Sequence, residues 1–247
     1  MEKFTRLGRY FVGLGVLGSG IEQLVIGGFV RLVPKLPGWL PAQSFWAIAT
    51  GVVLVLIGGA ILAGYKTGVA ADCLAVLLLI LFGFHVPAFA ANSGALANPA
   101  KVLALAGGAF LLGGHGEKWP WVAPALLGIF FLICGWAHFQ FSSFVDTLVP
   151  AWIPPNPRFW TYFAAVALLA GGAGMILPPT RRLAGIWSGV MVFLWVLLLH
   201  IPRSIQMKNA FELAGVFEAL AITGVALLVA RAGSSRPRTA DAPGGRI

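Results

Sequence analysis

The chain has 247 residues, of which 59% are hydrophobic and only 10% charged, with a formal net charge of +9. Soluble domains carry about 25% charged residues, so these proportions and a mean hydropathy of +0.89 exclude a water-soluble globular protein. The basic residues lie in loops and tails instead of forming one soluble face, which argues against a nucleic-acid partner and leaves the lipid bilayer as the surrounding medium.

A membrane-spanning helix needs roughly 20 mostly apolar residues. Eight apolar runs meet or approach that length: 8–30, 44–64, 68–90, 100–114, 121–145, 159–178, 183–204 and 209–230, the fourth being the shortest. They are apolar over far more than a barrel strand's length, so they predict an all-α polytopic bundle of about eight transmembrane helices. The first run is too long for a signal-peptide core and lacks a small-residue cleavage site after it, so it is expected to stay as a helix. Glycines crowd that run (Gly8, Gly13, Gly15, Gly18, Gly20) and recur at Gly171, Gly172 and Gly174, as expected where helix backbones pack closely in lipid. Trp46, Trp119, Trp121, Trp152 and Trp160 fall near run ends, where interfacial aromatic residues belong. Cys73 and Cys134 form neither a CxxC motif nor a loop pair, so no disulfide and no thiol redox centre is expected. Residues 232–247 are polar and rich in glycine and proline, the composition of a disordered tail.

With eight spans and both termini on one side, eleven basic residues share that side: Lys3, Arg6, Arg9, Lys66, Lys118, Arg181, Arg182, Arg231, Arg236, Arg238 and Arg246. Six face the other: Arg31, Lys35, Lys101, Arg158, Arg203 and Lys208. The positive-inside bias then places both termini in the cytoplasm of a bacterial-type inner (plasma) membrane.

The two halves align as an internal repeat. Leu32-Val33-Pro34 matches Leu148-Val149-Pro150, and a proline-rich turn follows each. Ser44-Phe45-Trp46 matches Arg158-Phe159-Trp160, Gly58-Gly59 matches Gly171-Gly172, and Lys66 matches Arg181. His85-Val86-Pro87 and His200-Ile201-Pro202 close equivalent apolar runs, and the string Leu-Ala-Gly recurs at 105–107 and 213–215. The expected domains are therefore two four-helix membrane repeats, 1–118 and 119–231, followed by the tail. An even number of spans per unit makes the repeats parallel.

The ionisable residues inside these runs are the candidate site. The repeat sets Glu22 of the first span opposite His138 of the fifth, and His85 opposite His200. Helix rise puts Glu22 about 20 Å from Arg9 and His85 about 28 Å from Lys66, both in the outer half of the membrane. With Arg203 nearby, Glu22, His85, His138 and His200 are candidates for one polar pocket. A carboxylate at bilayer depth costs about 2.5–3.5 kcal/mol and needs a partner. Three roles are open: a structural pair, a pocket for a quinone or similar headgroup exchanging protons, or a metal site of His85, His138, His200 and Glu22. The metal reading ranks last, because no two of its ligands lie close together on one helix. Asp72 is read as a helix-start acid, His115 as part of a solvated connector, and Glu218 as a possible addition to the same cavity.

The run from Gly135-Trp-Ala-His138 through Val149-Pro-x-x-Ile-Pro154, Trp160, the Gly171-Gly172 cluster and Arg181-Arg182 to His200 resembles the DoxX-like family of small four-helix membrane proteins. The resemblance spans roughly 120–204 and reaches the first half only through the repeat, where Glu22 replaces His138. It implies a membrane protein associated with redox chemistry, a quinone as the cofactor and a redox partner subunit. The alternatives are a non-catalytic membrane subunit or assembly factor, and a small-solute or proton pathway.

Overall fold

The computed structural model describes residues 2–30, 32, 40–91 and 96–232, and among them every regular element is a helix. In chain order these are α1 (Glu2–Ile26), α2 (Gln43–Ala63), α3 (Thr67–Ala91), α4 (Ala97–Leu112) and α5 (Val122–Gln140). They are followed by α6 (Ser142–Asp146), α7 (Pro157–Ile176), α8 (Arg181–Trp195), a π-helical turn (Val196–His200), α9 (Ile201–Met207) and α10 (Ala210–Ala232). The expected disordered tail and most of the first proline-rich turn, with Arg31 and Lys35, lie outside the described residues.

Local chemistry sets the ends. α1 stops at Gly27, whose φ of 65° is the left-handed conformation that closes many helices. α2 stops in the same way at Gly64, at φ 71°. α7 starts where Asn156 Oδ1 accepts the Phe159 N–H at 2.9 Å, with Pro157 at the first helical position, where a missing N–H costs nothing. The π turn follows from Pro202, whose ring would collide with the carbonyl four residues back. A wider turn, with Ile201 N–H reaching Val196 O, relieves this and lets α8 continue into α9.

Six segments are long and apolar enough to cross a membrane: α2, α3, α5, α7, continuous α8–α9, and α10. α4 is apolar but has only 16 residues, and α1 carries Lys3, Arg6, Arg9 and Glu22 along its length. The expected fifth span, 121–145, is shorter than the sequence pattern: α5 ends at Gln140, and α6 continues after a break at Phe141.

α10 lies at the centre. Of its apolar stretch, 72% is buried, against about a third in each of the other five segments. It packs against α1, α8 and α4, while α1 packs on α2, α3 on α4, α4 on α5, and α5 on α7. Glycine permits two of these contacts. A Cβ on Gly8 would lie 2.9 Å from Gly224 O, and one on Gly224 would lie 2.6 Å from Gly8 O. Gly128 and Gly172 face each other across α5 and α7 in the same way, at 2.7 and 2.6 Å. Small residues at such crossings let backbones touch where lipid provides no hydrophobic drive.

Candidate functional site

Among the described residues, the most buried ion pair is Lys101 with Glu218. Lys101 stands near the start of α4 and Glu218 in the N-terminal half of α10, and Lys101 Nζ meets Glu218 Oε2 at 2.6 Å. Their side chains are 7% and 6% exposed, and Lys101 also donates to Asn98 Oδ1 at 3.4 Å. The sequence pattern reads Lys101 as a loop charge. The structure corrects this, because α4 begins at Ala97 and carries the lysine inside the bundle. Its ammonium lies near a helix N-terminus, where the helix dipole disfavours positive charge, so the carboxylate supplies the balancing charge.

His85 belongs to the same centre. It is 7% exposed, its ring hydrogen-bonds to the Leu32 backbone, and it lies within electrostatic range of Lys101 and Glu218. Glu22 is 4% exposed on α1, less than one turn beyond Ser19. Ser19 and Glu218 line a common small cavity. Gln23, the next residue, is turned to the neighbouring helix instead and donates to Ala47 O of α2 at 2.6 Å.

The other predicted site residues lie elsewhere. His138 Nδ1 is 2.7 Å from Cys134 O; a carbonyl only accepts, so Nδ1 carries a proton, and Nε2 is the acceptor whenever the ring is neutral. The half-buried ring stacks on Trp195, with centroids 6.3 Å apart and planes at 24°. His200 is half-buried at the end of the π turn, which begins directly after Trp195. Arg203 grips Glu212 with two hydrogen bonds, Nε to Oε2 at 3.1 Å and Nη2 to Oε1 at 2.8 Å, and reaches Thr147 O at 3.4 Å. His85 thus lies beside the Lys101–Glu218 centre, with Glu22 close by on α1, whereas His138 and Arg203 make their contacts elsewhere in the bundle. Among the described residues, no three His, Cys, Asp or Glu side chains are grouped as a metal ion needs.

Further polar residues have structural tasks. Arg181, read from sequence as a loop charge, is buried and donates to Met175 O, Pro120 O and Ile176 O at 3.1–3.4 Å. It satisfies carbonyls left open at the end of α7. Asp72 and His115 meet at 2.8 Å on an exposed surface, so the acid of α3 is tied to the connector after α4. Asp146 of α6 accepts from Thr161 Oγ1 at 2.6 Å and from Arg158 Nε at 2.7 Å. The Thr161 hydroxyl first, and the Arg158 guanidinium beside it, hold the Asp146 carboxyl below the usual carboxylate range.

Six apolar helical segments around a buried ion pair define a polytopic helical membrane protein. Residues 127–210, from within α5 to the start of α10, match the model of a domain of unknown function (DUF8561). No curated protein and no solved structure matches the chain.

Proposed function

We propose that the protein is a non-catalytic subunit or assembly factor of the inner membrane, of DoxX-like type, built as two parallel four-helix units. Its buried charges hold the units together. The carrying observation is the closed Lys101–Glu218 pair, which joins the last helix of one unit to the last helix of the other. An open pocket ending in polar groups would favour a cofactor site. Here the adjoining space is enclosed and has room for about one water.

The packing pattern supports the doubled architecture. Exchanging α1 with α5, α2 with α7, α3 with α8 and α4 with α10 turns each of the main helix contacts into another that is also made. α1·α2 becomes α5·α7, α3·α4 becomes α8·α10, and α1·α10 becomes α4·α5, while α4·α10 maps onto itself. On this reading α1 and α4 are spans as well, for a total of eight, with lipid contact taken mainly by their neighbours. With Lys101 and Arg181 removed from the loop count, ten basic residues still face five, so both termini remain cytoplasmic.

A stability cycle on Lys101 and Glu218 tests this reading. Replacing both by apolar residues of similar size leaves a folded, assembled protein, whereas replacing either one does not.

One observation favours a second reading, a redox-linked protein that binds a quinone-type headgroup. His138 presents an acceptor nitrogen beside the Trp195 ring on a half-exposed face. A hydroquinone hydroxyl suits both groups. Protein purified in native lipid would then retain quinone, and His138→Phe would lose it. Equal quinone content in the two samples discards this reading.

A further inference from the structure

Beneath the Lys101–Glu218 pair, Ser19, Leu74, Leu78, Leu105, Phe217 and Glu218 help enclose a small cavity among α1, α3, α4 and α10. About 10 Å³ of it is open to the centre of a water molecule, which is about the room that one water requires. Most of the wall is apolar, and a wholly apolar cavity of this size stays dry. Two polar groups break that wall. One is the Glu218 carboxylate. The other is Ser19, only 2% exposed, whose side chain lines the cavity.

Ser19 lines the cavity, and its hydroxyl can donate to a molecule held there. The charged groups around this space come from every helix that forms it. They are Glu218 from α10, Lys101 from α4, His85 from α3 two turns beyond Leu78, and Glu22 from α1 just beyond Ser19. A water at this point donates to the carboxylate and accepts from the serine, which meets the minimum of two polar partners for a buried water.

We propose that this cavity is the binding site of one buried water, held between Ser19 Oγ and the Glu218 carboxylate. Ser19 is then a positioning residue. Through the water it fixes the carboxylate orientation that meets Lys101. The inference rests on the reading of Lys101–Glu218 as the structural centre and adds a component to it.

The test is infrared spectroscopy of the full chain in lipid nanodiscs, hydrated with H₂¹⁶O or H₂¹⁸O. The parent should show a narrow O–H band that shifts with the oxygen isotope. Ser19→Val, which removes the hydroxyl and fills the space with methyl groups, should lose it. Absence of an isotope-sensitive band in the parent overturns the proposal, as does an unchanged band in helical Ser19→Val protein. If Ser19→Val does not fold, Ser19→Ala and Glu218→Gln decide, since each removes or weakens one partner. The band must move or vanish in both, and an unmoved band in either overturns the site. The Lys101–Glu218 stability cycle is a separate measurement, so loss of the water site leaves the packing role standing or falling on its own result.

Discussion

Lys101 Nζ lies 2.6 Å from Glu218 Oε2, with both side chains more than nine-tenths buried, and the two residues come from opposite halves of the chain. Neither charge is tolerable alone at that depth. Lys101→Met or Glu218→Leu should each destabilise the protein by about 3–5 kcal/mol, because each leaves one unpaired buried charge. Thermal unfolding in nanodiscs, with helicity followed by circular dichroism, checks both variants.

The glycine crossings give a prediction that involves no charge. Gly224→Val places a side chain against the Gly8 carbonyl, and Gly172→Val places one against the Gly128 carbonyl. Overpacking of this kind costs about 1–3 kcal/mol, so both variants should unfold at lower temperature. Gly59→Ala is the control, since a Cβ there meets nothing within 4 Å. It should stabilise α2 by up to about 1 kcal/mol through helix propensity.

Arg203 and Glu212 form a two-point grip across the junction of α9 and α10, where Lys208 adopts a left-handed φ of 48°. Arg203→Lys retains the charge but loses the fork geometry. Arg203→Gln loses both. Trypsin cleavage after the exposed Lys208 should therefore quicken in the order parent, Lys variant, Gln variant. Equal rates would show that the grip does not order this junction.

Asp146 carries the acid-side prediction. Thr161 and then Arg158 stabilise its charged form, so its carboxyl titrates lower in the folded protein than in the unfolded chain. The stabilisation is present above the unfolded carboxyl pKa of about 3.9 and is lost as pH falls through the folded value. The thermal midpoint of the parent should fall more steeply below about pH 4 than that of Asp146→Asn, with the two profiles parallel near neutrality.

Much of the fold was legible in the sequence, because membrane helices must satisfy their own backbone and therefore announce themselves as long apolar runs. The expected spans 44–64 and 159–178 lie within two residues of α2 and α7, where Gly64 and Asn156-Pro157 supply explicit end signals. The fifth run was overextended to 145, since Phe141 is as apolar as its neighbours and hides the break between α5 and α6. The centre of the site was harder to see. His85 and Glu22 stood out as charges within apolar runs, and both are buried. Lys101 did not, because it is the second residue of its run, 100–114, where a charge reads as the edge of a span, and its partner is distant in sequence. The one local clue was Asn98-Pro99, a helix-start signal that places the lysine inside α4.

The most direct test of the central claim is the complete cycle: parent, Lys101→Met, Glu218→Leu, and the double variant, each unfolded thermally in the same lipid. The account predicts that the double variant recovers most of what either single variant loses, ending within about 1 kcal/mol of the parent, as replaced buried pairs do. Losses that simply add would contradict it. They would show that Lys101 and Glu218 serve separate partners and that their contact is not what joins α4 to α10.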